Sequence, residues 1–186
     1  MTDSAWGRWM LLFTLMDLGF VGYQSVVRPD RTARTRAAAL YGTADRYEKA
    51  ERFDDAVRVY ESILEGCATA PTAPRAAWSL AQIQTRKRFR PDEARVTLRN
   101  LLEAYPQSDL APQAASNLAF LESHADHEDE PLRRWLRASE ANRAGNSSAA
   151  TEILTSLLRD YPDAAIRPQA EKILAQLARN GSRIPQ

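Results

Sequence analysis

Two histidines stand three apart in His124-Ala-Asp-His127, followed by Glu128, Asp129, Glu130 and then Pro131. On a helix that spacing would place both rings on one face, and the neighbouring carboxylates would suit a divalent cation. The stretch runs into a proline, however, and reads as an acidic loop. Acids at that place favour the N-terminus of the following helix through its macrodipole, with no metal required. A second charged knot, RKRFRPDEAR at residues 86–95, could meet an acidic partner or lipid headgroups, or lie solvated at a turn. Catalytic combinations are missing from the sequence: there is no glycine-rich phosphate loop, no serine matched to a histidine, and no carboxylate pair in an identifiable cleft. The single cysteine, Cys67, excludes an intramolecular disulfide and a cysteine-rich metal site. The expectation is a protein that is not an enzyme and uses no cofactor, metal or small-molecule substrate.

The elements that carry these residues are read next. The chain has 186 residues, 44% hydrophobic and 26% charged, enough apolar matter for one continuous core. A formal net charge of +1 gives no basic footprint of the kind that nucleic acid requires. Residues 101–124, LLEAYPQSDLAPQAASNLAFLESH, return without gaps at 157–180 as LLRDYPDAAIRPQAEKILAQLARN. A fainter copy, ILEGCATAPTAPRAAWSLAQI, starts at Ile63. Self-similarity of this kind marks a stacked repeat architecture. No stretch alternates with the period of a strand, and helices are expected over 36–50, 53–66, 74–87, 91–105, 111–123, 131–144, 147–160 and 166–179. Pro74, Pro91, Pro112, Pro131 and Pro168 lie near the expected starts, where a missing N–H does least harm. Pro106 and Pro162 follow expected ends, and Gly66 and Gly145 fall at the turns.

Ahead of the repeats, Trp9 to Val27 reads WMLLFTLMDLGFVGYQSVV. As a helix these residues would span roughly 28 Å, close to the thickness of a bilayer core. Trp9, Leu11, Leu12, Phe13, Leu15, Leu18, Phe20 and Val21 would face lipid, with Asp17 near the middle. That acid costs about 2.5–3.5 kcal/mol on an insertion scale and normally faces a partner or a water-filled cavity. A membrane anchor over 1–28 is the leading reading, ahead of a helix docked on protein and of a cleaved signal peptide. Arg28, Arg31, Arg34 and Arg36 crowd behind the run and only Arg8 precedes it, so the positive-inside rule places the repeats in the cytoplasm. A basic linker over 29–36, a repeat domain over 37–180 and a tail over 181–186 complete the expected organisation.

Residues 37–65, with Ala44, Tyr47, Phe53, Ala56, Tyr60 and Ile63 at signature places, resemble a tetratricopeptide repeat. Trp78, Ala81, Ala94, Leu98, Leu101 and Pro106 are similar to a second unit; Trp135, Ala138, Gly145, Ala150, Leu154, Leu157 and Pro162 are similar to a third. The resemblance implies an all-α solenoid of antiparallel helix pairs, the small Ala44 and Ala56 letting backbones approach while Tyr47, Phe53 and Tyr60 fill the space. The sequence departs from the pattern at Thr85, where an aromatic is usual, and over 111–123, which reads as the first helix of an irregular unit with 166–179 as a cap. The family binds protein partners on a concave face lined by the first helix of each unit. Carried over, that face holds Tyr41, Asp45, Glu48 and Lys49, then Ser79, Ile83, Arg86 and Lys87, then Trp135, Ser139, Asn142 and Arg143. The Lys/Asn carboxylate clamp of some members is missing, because Tyr41 and Asp45 occupy its places. The Tyr-Pro and Pro-Gln-Ala pattern also resembles repeat proteins of bacterial envelopes, of the outer-membrane-assembly lipoprotein and Tol-Pal-associated types. That resemblance implies the periplasm, against the flanking arginines, so the expected place is the bacterial inner membrane with the repeats in the cytoplasm or, alternatively, the periplasm. Two functions are expected from the whole: a membrane-anchored adaptor, or a structural subunit of a larger membrane complex.

Overall fold

A computed structural model describes residues 31–181. The apolar run at 9–27 and the end of the tail lie outside the described residues. Within them the chain forms eight α-helices and one short 3₁₀ turn, and no strand. They are α1 (Arg31–Lys49), α2 (Phe53–Gly66), α3 (Ala73–Arg86), α4 (Pro91–Ala104), α5 (Ala111–Ser123), α6 (Glu130–Arg143), α7 (Ser147–Asp160) and α8 (Arg167–Gly181), with the turn at His127–Asp129. All eight coincide with the expected helices to within a few residues. Helix α1 begins earlier than expected, so the basic stretch read as a linker is helical from Arg31 onward.

The prolines act as anticipated. Pro91 opens α4, and Pro74, Pro112 and Pro131 stand in the first turn of α3, α5 and α6. There their fixed φ suits the helix and the absent N–H has no partner to lose. Asn146 caps α7, its side-chain oxygen accepting from the Ala149 N–H at 3.1 Å. Gly145 precedes it at φ +82°, a left-handed position that a side chain would strain. Gly66 differs: it is the last residue of α2 and needs no such freedom.

Each helix up to α5 packs on its neighbour in sequence, and α6 then returns to lie against α3 before pairing with α7. Alanines set the close approaches. Ala44 and Ala56, where α1 meets α2, are fully shielded, with Tyr60 buried and Tyr47 and Phe53 packed beside it. A first core cluster joins α1, α2 and one side of α3; a second joins the other side of α3 to α8 through Leu98, Leu132, Leu154 and Ile166. Full burial of each leucine contributes about 1.5–3 kcal/mol.

The internal repeat has a structural counterpart in three turns of one design. Cys67, Tyr105 and Tyr161 each donate their N–H to a carbonyl four residues back (Ile63, Leu101, Leu157). Ala70, Ser108 and Ala164 then donate to the carbonyls of Cys67, Tyr105 and Tyr161 in turn, and Ala73, Ala111 and Arg167 donate to those of Ala70, Ser108 and Ala164. Three helical residues later Ala76, Ala114 and Ala170 are fully buried. The copies are thus the end of one helix, a fixed turn, and the start of the next.

Candidate functional site

The first helices of the units, α1, α3 and α6, are linked by polar contacts along one face. Tyr41 Oη and Ser79 Oγ share a hydrogen bond of 3.2 Å between α1 and α3. Lys87, the residue that follows α3, donates to Glu140 of α6, and Arg143 donates to the same carboxylate one turn on. Tyr41 is thus brought to Ser79, and Lys87 and Arg143 to one carboxylate, that of Glu140. Tyr41 also packs at a tilt of 59° on Tyr60, 5.5 Å between ring centroids, with the Arg75 guanidinium 5.3 Å from the Tyr41 ring centroid.

Other expected residues of this face have structural partners. Glu48 accepts the Tyr60 hydroxyl at 2.5 Å. Burial first, and then this contact with a carboxylate, push the Tyr60 phenol well above its ordinary value, so it stays protonated and donates. Asp45 pairs with Lys49 at 2.7 Å on an exposed turn, and the hydrogen bond to Asp45 holds the Lys49 ammonium above its ordinary value. Arg86 is exposed and Asn142 half-buried. Ile83 departs from expectation: at 3% exposure it belongs to the core around Ile63 and Leu80, and no partner can reach it. Helical periodicity explains the shift, since Ile83 is four residues beyond Ser79 yet turned by about 40° toward α2. Trp135 is half-buried against Phe120 of α5 at 5.4 Å between centroids. Its indole N–H and the Ser139 hydroxyl are shielded and have no hydrogen-bond partner among the described residues.

A concavity of about 420 Å³ opens beside Tyr41, lined by it, Arg75, Trp78 and the turn residues Ser108, Asp109 and Leu110. An aromatic pair beside an arginine is the side-chain set most common at interface hot spots. Sequence reasoning gives Trp78 only as a repeat position and does not single out Arg75. The available signal was their position: Trp78 follows Pro74 by one turn, and Arg75 follows Pro74 directly, which turns both toward α1 once α3 starts at Ala73.

The charged clusters take structural roles. In the 86–95 knot Lys87 meets Glu140, Arg88 meets Glu93 and Asp54, and Arg95 meets Asp129. His124 is buried, with Nδ1 at 2.7 Å from the Phe120 carbonyl and Nε2 at 2.9 Å from the Gln169 amide. His127 is exposed beside Asp126 and Asp163, each at 3.7 Å. The acidic stretch is not a solvated loop throughout: Asp129 is buried, and its carboxylate is used by Arg95 rather than by α6. Among the described residues no three His, Cys, Asp or Glu side chains converge as metal ligands, and no helix is long and apolar enough to cross a membrane.

No curated protein matches the chain. The helical pairing, the alanine approaches and the turn at Ser108 together account for the family comparison: residues 75–108, which span most of α3, all of α4 and the turn after them, match the tetratricopeptide repeat model.

Proposed function

We propose that this protein is a membrane-anchored adaptor that holds a protein partner on the face formed by α1, α3 and α6. The observation that carries the reading is the concavity beside the Tyr41–Ser79 contact, where Tyr41, Trp78 and Arg75 stand together on rigid helices. The match over residues 75–108 supports it, since such repeats generally bind proteins. The apolar run at 9–27 supplies the anchor, and the arginines behind it place the helical domain in the cytoplasm, with the periplasm as the alternative that the envelope-type pattern favours. The protein performs no reaction of its own and binds no cofactor, nucleic acid or small-molecule substrate in this reading.

A photo-crosslinking residue at Ser79 is expected to trap the partner in cells, and Tyr41→Ala with Trp78→Ala is expected to abolish the product while leaving the circular dichroism unchanged. Equal crosslinking by the double variant would remove the site from this face. Membrane side is read by an impermeant thiol reagent. Cys67 is buried and cannot report, so the label belongs at Glu152→Cys in a Cys67→Ala background. Asp17 supports a second reading, in which the anchor packs within a larger membrane complex. Asp17→Leu would then disrupt co-purification; a lone anchor would tolerate it.

A further inference from the structure

Helix α3 presents a second surface on the side away from Trp78 and Ser79. At about 100° per residue, Leu80 and Gln84 point away from that face and toward the space between α2 and α4. There they line a half-open pocket of about 390 Å³, walled by Leu64 of α2 and by Leu101 and Tyr105 at the end of α4. Its volume lies at the small end of the range of binding clefts, about 300–1,000 Å³. One end is closed by Tyr105, whose hydroxyl donates to the Ala68 carbonyl at 2.9 Å.

Three features of this pocket point to an occupant. Gln84 lines it at only 5% exposure, and its Oε1 accepts from the Thr97 hydroxyl at 2.8 Å. The Nε2 of the same amide has no hydrogen-bond partner among the described residues, so the pocket lining carries an available donor. The rim is acidic: Glu61 stands at the mouth, Glu65 lies one turn further along α2, and Glu103 lies on α4 three residues after Asn100. All three are exposed, and none meets a cation among the described residues. Val96, one turn before Asn100, is 54% exposed and is the one large apolar side chain so exposed among the described residues.

We infer that this outer pocket docks a second protein segment, cationic and amphipathic, independently of the face proposed above. A large apolar side chain of that segment fills the space between Leu64 and Leu101. Gln84 Nε2 donates to a carbonyl or hydroxyl oxygen of the segment. Flanking lysines or arginines meet Glu61, Glu65 and Glu103, and the segment covers Val96. The sign of the rim selects this occupant. Phosphates of nucleic acid and anionic headgroups need cations on the protein side, whereas a carboxylate rim attracts a basic segment and speeds its arrival.

The test uses the full chain and three labelled peptides read by fluorescence anisotropy: Arg-Arg-Leu-Tyr-Leu-Arg-Arg, Glu-Glu-Leu-Tyr-Leu-Glu-Glu and Arg-Arg-Ser-Gly-Ser-Arg-Arg. The first alone is expected to bind. Ala104→Phe, which fills the pocket from an exposed position, and the triple variant Glu61→Lys, Glu65→Lys, Glu103→Lys are each expected to weaken it by about tenfold or more. Gln84→Leu should weaken it less. Trp78→Ala on the opposite side should leave it unchanged, so a failed adaptor face and a failed outer pocket give different results. The proposal is overturned if the first peptide does not bind, if the serine-glycine peptide binds as well, or if the charge-reversed or filled variant binds with undiminished affinity. Preferential binding to anionic vesicles would overturn it equally.

Discussion

At Arg95 one guanidinium holds two distant stretches of chain. Its Nη1 and Nη2 donate to the two Asp129 carboxylate oxygens at 3.0 and 2.6 Å, and Nη1 also reaches the Leu121 carbonyl at 3.3 Å. Both side chains are largely shielded, at 15% and 8% exposure. The clamp sits where His127, Glu128 and Asp129 all have positive φ, an unusual run for residues with side chains. Removing one member of a shielded pair strands the other. Asp129→Ala or Arg95→Met is therefore expected to cost about 3 kcal/mol in urea unfolding. Glu122→Gln, which breaks only the exposed contact with Arg99, should cost less than about 1 kcal/mol. A second residue-scale expectation concerns acid. Hydrogen bonds from Arg134, and then from Arg159, hold the Asp160 carboxyl below its ordinary value. A carboxylate lowered on folding contributes stability that is complete above the unfolded value of about 3.9 and is lost as pH falls through the folded one. Carbon-detected titration should show Asp160 protonating below an unperturbed carboxylate, and Arg134→Met should bring it back toward that value. An unshifted Asp160 in the native protein would deny the contact between α6 and α7.

At the scale of elements, the two turn glycines separate by backbone geometry. Gly145 has φ +82°, whereas Gly66 ends α2 with open space around its Cα. Gly145→Ala is expected to destabilise by about 1–2 kcal/mol, because an L-residue is disfavoured in the left-handed region. Gly66→Ala should be neutral or stabilise by up to about 1 kcal/mol through its better helix propensity. Thermal unfolding of the two variants would decide; equal losses would contradict the assignment. The element boundaries were legible because prolines, periodic leucines and the repeated Tyr-Pro turn all act within a few residues of each other. Even the irregular spacing of the copies was readable, since the turn recurs at Cys67, Tyr105 and Tyr161 with one hydrogen-bond pattern. The left-handed passage before α6 was not readable. Its sequence, His-Glu-Asp, has no glycine to announce it, and it persists through the Arg95 clamp from a helix far away in sequence.

In the whole molecule α3 belongs to both core clusters, giving Ala76, Leu80 and Ile83 to one and Ala77 and Ala81 to the other. Neither cluster can lose its packing without exposing a side of the shared helix. A fragment from Arg31 to Gly181 is thus expected to fold without the preceding apolar run and to unfold in one cooperative urea transition. Two resolved transitions would show that the units are independent, as nearest-neighbour coupling in repeat arrays allows. The same central position gives α3 two solvent-facing grooves on opposite sides, one beside Tyr41 and Trp78 and one above Gln84.

The residues alone determined the helical class, the helix limits and the recurring turn, because these depend on periodicity, proline and short-range hydrogen bonds. Only the tertiary structure decided that Ile83 is core, that Trp78 and Arg75 join Tyr41, that the basic knot is largely spent on ion pairs, and that α6 turns back to α3. Each of these depends on the rotation of one helix against another, which side-chain packing at long sequence separation sets and no local pattern encodes.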